Sequence, residues 1–258
     1  MGLYIAGNAI GGMLGREISS FLAAEFSWRT ASVSIGLLCA LFALLFLAFS
    51  PRSRNFTPRQ ESFKSLIVSN LPLITSRKLI PFYLCGSLML GIFVSLYNYL
   101  RFYLVKEPFN FSPGLIHYIY LMYTFGVFGS IATAKLDSLF NNFSVLQVIV
   151  LISIPGLLLL YIPNFWIVTL GLAVFTFNFF VVHVTCNRVV SDYSLTKRSV
   201  AISMYLLCYY LGSSFWGWCT GIVLDHLGWQ WFIGALISLT LILYAIAAHG
   251  CKLMQQES

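Results

Sequence analysis

Eight stretches of this chain run for about 20 residues or more with scarcely a charge inside them. They are Leu3–Ala24, Trp28–Phe49, Leu79–Val105, Pro113–Lys135, Phe143–Ile162, Phe165–Arg188, Val200–Leu224 and Trp229–Cys251. A helix rises ~1.5 Å per residue, so about 20 apolar residues cross the ~30 Å hydrocarbon core of a bilayer. Only 9% of the 258 residues are charged, against about a quarter in soluble domains, so a water-soluble core of this composition is excluded. The expected fold is therefore an all-α membrane protein of about eight transmembrane helices. The first segment lacks a basic leader and is longer than the apolar run of a signal peptide, so it reads as a retained helix.

The net charge of +7 does not point to nucleic acid, because the basic residues are thinly spread and not interleaved with stacking aromatics. Their placement points to a membrane. Eleven of the fifteen lie in loops on one side: Arg52, Arg54, Arg59, Lys64, Arg77, Lys78, Lys135, Arg188, Lys197, Arg198 and Lys252. Short loops rich in Lys and Arg stay on the cytoplasmic side, which puts both termini there. The chain then divides into a helical pair over 1–50, a basic cytoplasmic linker over 51–78, a six-helix bundle over 79–251 and a tail over 252–258. The six cysteines form no C-x-x-C pair and read as free thiols buried in apolar runs.

The chain also repeats itself. At an offset of 201 residues Leu3–Arg29 overlays Met204–Gln230 without a gap, pairing Tyr4 with Tyr205, Gly11 with Gly212 and Trp28 with Trp229. Parallel repeats are a building plan of secondary transporters. Four segments precede the second copy of the hairpin, and a true repeat implies about 120 further residues carrying four helices ahead of the first. By themselves, these 258 residues are then expected not to transport, since half of the first bundle's cavity wall is missing.

Gly2–Arg16 with Phe26–Arg29, Tyr97–Arg101, Pro108–Pro113 and Tyr209–Ser214 with Gly217-Trp218 resemble major facilitator superfamily drug:proton antiporters, in particular the YnfM-type inner-membrane transporters. The resemblance implies the major facilitator fold, with these segments as helices 5–12 of twelve. It also implies proton-coupled efflux of a small organic solute or drug by alternating access, in a monomer of the cell inner membrane. Two features depart from the family pattern. The helix-five motif has Gly11-Gly12 with no proline. The loop Ala134–Asn142 lacks the arginines and central glycine of the family's G-x-x-x-D-R-x-G-R-R gate.

Several residues stand out within the apolar runs. Arg16 and Glu17 lie near the middle of the first segment, where an ionisable side chain costs at least ~2.5–3.5 kcal/mol unless it faces a cavity or a partner. They are expected on a substrate or proton pathway, Glu17 as the proton carrier, with a structural salt bridge as the competing role. Tyr97, Asn98 and Asn178 are expected on the same pathway. Helices seven and ten line the family's cavity, and an asparagine in hydrocarbon needs a hydrogen-bond partner. Tyr209 and Tyr210 offer ring faces that suit lipophilic or cationic solutes. His117 and His183 read as packing residues first. Gly7, Gly11, Gly12 and Gly15, and Gly212, Ser213, Gly217 and Gly221, form small-residue stripes that allow close helix packing. The resemblance further implies that they seal a gate.

No phosphate loop, zinc spacing or nucleophile elbow is present, so ATP-driven transport and metal cofactors have no support, and a proton gradient is the expected driving force. The expected partners are the lipid bilayer and a small-molecule substrate. Two rivals remain: a non-transporting remnant, and a membrane-embedded transferase built on the cluster Arg188, Asp192 and Lys197. The orientation is directly checkable. A green fluorescent protein fused after Ser258 is expected to fluoresce and an alkaline phosphatase fused after Lys106 to be active; the opposite pattern inverts the topology.

Overall fold

A computed structural model of the chain describes residues 2–51, 63–112 and 116–256. The linker bases Arg52, Arg54 and Arg59, the start of the fourth segment at Pro113, and the last two residues of the tail lie outside the described residues. Nine α-helices are described: α1 Gly2–Glu25, α2 Trp28–Phe49, α3 Phe63–Ile74, α4 Ile80–Val105, α5 Tyr123–Leu139, α6 Asn142–Leu158, α7 Phe165–Tyr193, α8 Arg198–Leu227 and α9 Trp229–Gln255. A 3-10 helix, His117–Met122, leads into α5, and another, Leu159–Tyr161, ends α6.

Each of the eight predicted segments is helical, but two differ in character. By length and apolar composition six helices can cross a membrane: α2, α4, α5 with part of its 3-10 lead, α6 with its 3-10 end, α7 and α9. The 24-residue α1 and the 30-residue α8 are as long, but are diluted by glycine, serine, tyrosine and, in α1, Asn8, Arg16 and Glu17. Helices that face protein or a cavity tolerate such residues where lipid-facing helices do not. The linker is not featureless either. Residues 63–74 form the short helix α3, which touches α8, and the Lys197 ammonium donates to the Ser69 carbonyl.

Local signals place the helix ends. The side chains of Ser27, Asn141 and Asn164 each accept a hydrogen bond from a backbone N–H in the first turn of α2, α6 and α7, satisfying donors that the helix itself leaves open. Between α8 and α9 the chain turns on Gly228 at φ 82°, a conformation in which a Cβ would be strained. Trp28 and Trp229, paired by the internal repeat, are each the first residue of the second helix of their hairpin.

The bundle is organised around α4 and α7. In their most apolar stretches 78% of α4 and 61% of α7 is buried, whereas none of α2 is. α4 and α8 run parallel and interlock along their length. Gly86 faces the ring of Tyr205, Ser87 lies against Gly212, Gly91 faces Trp216, Thr220 donates to Ser95 Oγ over 2.7 Å, and Gly221 lies under Tyr99. The Tyr99 hydroxyl donates to the Gly217 carbonyl over 3.1 Å. Interhelical hydrogen bonds within membranes average ~0.6 kcal/mol, so close packing contributes most of this contact. α7 is held on two sides by the same device, Gly129 against the Phe177 backbone and Gly156 against Gly171.

Buried hydroxyls bond back into their own helices, as Ser153 does to the Ile149 carbonyl and Thr240 to that of Leu236. The cysteines are all free, but only Cys85, Cys186 and Cys251 are buried; Cys39 is exposed on α2. That departs from the expected burial, because α2 packs chiefly on α1 among the described residues.

A Cβ at Gly212 would collide with the Ser87 backbone, whereas one at Gly217 meets nothing within 4 Å. Gly212→Val is therefore expected to destabilise the bundle by about 1–3 kcal/mol, the usual cost of overpacking. Gly217→Ala is expected to leave thermal unfolding in detergent unchanged or slightly raised. Equal melting of the two variants would show that the α4–α8 contact does not limit stability.

Candidate functional site

α1 lies across the six-helix bundle and packs chiefly on α5. Gly12 faces Tyr123, whose Cε1 lies 3.6 Å from where a Cβ would stand, an ordinary van der Waals separation, and the Thr124 hydroxyl donates to Met13 Sδ over 3.5 Å. Between α1, α4, α5, α7 and α8 remains a cavity of about 350 Å³. Its wall is aromatic: Phe93 from α4, Tyr123 from α5, Phe179 and Phe180 from α7, and Tyr209 and Tyr210 from α8. Phe93 and Phe179 stack with centroids 3.9 Å apart, Phe93 meets Tyr123 edge-on at 5.2 Å, and the His183 and Tyr209 rings stack at 4.5 Å.

The polar groups on this wall come from half of its lining residues. They are Asn8, Arg16, His183, Ser213 and the tyrosine hydroxyls, with no carboxylate among the described lining residues. The Arg16 guanidinium stands 5.6 Å from the Tyr123 ring centroid and 5.9 Å from that of Tyr120, and its buried Nη1 has no hydrogen-bond partner among the described residues. Cation–π contacts give ~0.5–2 kcal/mol, less than the ~2.5–3.5 kcal/mol cost of an arginine at mid-membrane. His183 is buried and its Nδ1 lies 2.9 Å from the Tyr205 hydroxyl, which fixes the ring at the cavity edge.

The structure separates the predicted pathway residues. Arg16, Tyr209 and Tyr210 line the cavity. Tyr97 lies behind its wall, fully buried, its hydroxyl 2.7 Å from Thr176 Oγ1 and its ring 4.7 Å from those of Phe93 and Tyr123. It braces the wall and does not face the cavity. Asn98 is exposed and falls one turn beyond Leu90 and Val94 on the α4 stripe that does line it. Asn178 is buried in the helix packing and does not line it; its Nδ2 has no hydrogen-bond partner among the described residues. The α7 residues facing the cavity are Phe179, Phe180 and His183. Glu17 is half-buried and absent from the lining.

The small-residue stripes divide likewise. Gly212 and Gly221 form tight contacts, Ser213 lines the cavity, and a Cβ at Gly7, Gly11, Gly15 or Gly217 would meet nothing within 4 Å. The α1 stripe thus does not pack within the described residues, contrary to the packing that its spacing suggests. Phe93, Tyr123, Phe179 and Phe180 were not singled out in the sequence. In a chain with 23 Phe and 14 Tyr, no local pattern separates a cavity aromatic from a core one.

The basic and acidic cluster that a transferase would need is an ion-pair group at a helix end. Asp192 lies 3.8 Å from Arg188 and 3.6 Å from Arg198, with all three side chains about half-exposed. A larger cavity of about 520 Å³, between the end of α4, the 3-10 helix before α5 and the start of α7, has a wall that is almost wholly apolar.

A sequence model of the Major Facilitator Superfamily matches residues 1–216. An uncharacterized transporter of Buchnera aphidicola (subsp. Schizaphis graminum) is 34% identical over 89% of this chain and 55% of its own length. The uncharacterized MFS-type transporter YybF of Bacillus subtilis is 31% identical over 94% of the chain and 60% of its own. The inner membrane transport protein YnfM of Escherichia coli is 32% identical over 94% and 58%. The chain thus spans little more than half the length of these relatives. Among solved structures, the transporter FucP in its outward conformation superposes with a TM-score of 0.62, at 18% identity, over 88% of this chain and 54% of that one, a likeness of fold. The relatives are transporters, which sets the transferase reading aside, and their match extends from α1 into α8 across every wall of the cavity. The chain is a multi-pass membrane protein of the major facilitator superfamily.

Proposed function

We propose that these helices serve a secondary active transporter of the bacterial inner membrane, its C-terminus cytoplasmic, which exports a small organic solute in exchange for protons by alternating access between two bundles. The activity is proposed for the protein with both of its bundles, acting as a monomer. The observation that carries the reading is Arg16, a cation without a hydrogen-bond partner at Nη1 among the described residues, inside an aromatic cavity bounded on one side by α1 and on the other by the six-helix bundle. A solute held there touches both bodies, which is what lets its binding and release follow their relative motion.

The chemistry of the wall narrows the solute. Six aromatic rings offer an apolar slot, and the fixed positive charge with no carboxylate among the described lining residues favours an acceptor-bearing or anionic group over a cation. The exported class is therefore an aromatic or otherwise apolar organic acid, in place of the cationic drugs that the tyrosines alone suggested. For the driving force, Glu17, next to Arg16, is the proposed proton carrier, and His183 is a second titratable group, placed at the cavity itself.

Efflux from cells tests the first reading. Aromatic carboxylates are expected to be exported in preference to matched aromatic amines, with export lost when a protonophore collapses the gradient. Arg16→Gln is expected to lower carboxylate export about tenfold to a hundredfold, the ~1.5–3 kcal/mol of a charge-assisted hydrogen bond. Preference for the amines would overturn the assignment of Arg16.

Glu17→Gln is expected to uncouple export from the gradient while leaving solute binding in place. Gradient-driven export that survives in Glu17→Gln and disappears in His183→Gln would move the proton to the histidine.

A further inference from the structure

On the outer surface of the bundle, away from the solute cavity, a groove of about 600 Å³ runs between the start of α4 and the end of α9. The register of the two helices is set where Gly250 lies against Pro81, so close that a Cβ there would stand 2.7 Å from the proline Cβ. From that crossing the groove has two chemically different ends. Towards the membrane interior it is lined by Leu84, Ala245 and Ile246, and the α9 stripe continues inward through Ile242, itself half-exposed. Towards the helix ends it is lined by Arg77, three residues before α4 begins, by His249 and, one turn further, by Leu253. Lys252, one turn beyond His249 and exposed, adds a second fixed charge to the same face, and no carboxylate lines the groove among the described residues.

An apolar trough that ends in a basic pair at the depth of the membrane interface has the two-part chemistry of an anionic phospholipid. One acyl chain covers Leu84, Ala245 and Ile246, whose burial in lipid costs nothing. The phosphate meets Arg77 and His249, where the arginine fork matches phosphate oxygens. A zwitterionic headgroup brings its own cation to the same place and gains less. Basic pockets between helices at the cytoplasmic face are a recognised setting for anionic headgroups, and the orientation argued from the basic loops puts this end in that leaflet.

We propose that the α4–α9 groove is a binding site for an anionic phospholipid, its phosphate held by Arg77 and His249 and one acyl chain lying along Leu84 and Ile246. The site is separate from the solute cavity, so its test does not depend on transport. The full chain, purified in detergent and offered equimolar phosphatidylglycerol and phosphatidylcholine of the same acyl composition, is measured by native mass spectrometry. Phosphatidylglycerol adducts are expected to exceed phosphatidylcholine adducts about fivefold, the effect of one basic side chain acting on a headgroup. The preference is expected to vanish in Arg77→Gln/His249→Gln, two exposed positions whose change leaves the fold intact by circular dichroism. Ala245→Trp, which fills the trough, is expected to reduce adducts of both lipids. Glycerol 3-phosphate in excess is expected not to displace the lipid. Equal adducts in the wild type, a preference that survives the double substitution, unchanged adducts in Ala245→Trp, or displacement by glycerol 3-phosphate alone would each overturn the proposal.

Discussion

The contact between α4 and α8 is what the rest of the molecule is built on. Two parallel helices come together because each supplies a small residue wherever the other supplies a ring or a backbone. Gly86 meets Tyr205, Ser87 meets Gly212, Gly91 meets Trp216 and Gly221 meets Tyr99. In lipid the apolar effect does not draw helices together, so dispersion over such close surfaces must do it. Once α4 is fixed in this way, its remaining faces are committed. One carries Tyr97 and its hydroxyl bond to Thr176 of α7, and another carries Leu90, Phe93 and Val94 onto the cavity.

That commitment explains why the cavity is aromatic. Tyr97, Tyr123 and Phe93 brace one another through ring contacts of 4.7 to 5.2 Å, and Tyr205 holds His183 from behind. A wall of rings leaves the charge to α1, whose Gly12 faces Tyr123. Arg16 is thus presented by a helix outside the six-helix bundle to a surface within it.

The outward faces carry different information. α2 is unburied along its whole apolar stretch, and a Cβ on the α1 glycines at 7, 11 and 15 would meet no described residue within 4 Å, while Gly212, the repeat partner of Gly11, is packed against Ser87. The two hairpins therefore share a sequence pattern and the position of their tryptophan, but stand in different surroundings.

Much was legible in the sequence because the bilayer reduces folding to a question of length and polarity. Apolar runs of about 20 residues must be helices, since no other open-chain structure satisfies its backbone in hydrocarbon. The positions of the eight long helices and the exceptional status of Arg16 and Glu17 follow from that alone. The helix in the linker was hidden among prolines and charges. The fates of Asn98, Asn178 and the glycine stripes were equally hidden, because every face of an apolar helix reads alike until its neighbours are known. Asn178 lies one residue from Phe179, yet ~100° of helical rotation separates helix packing from the cavity wall. Sequence determined that the chain lies in a membrane and where it crosses. Tertiary packing alone decided which side chains meet, because in a chain this uniformly apolar only close fit distinguishes one helix face from another.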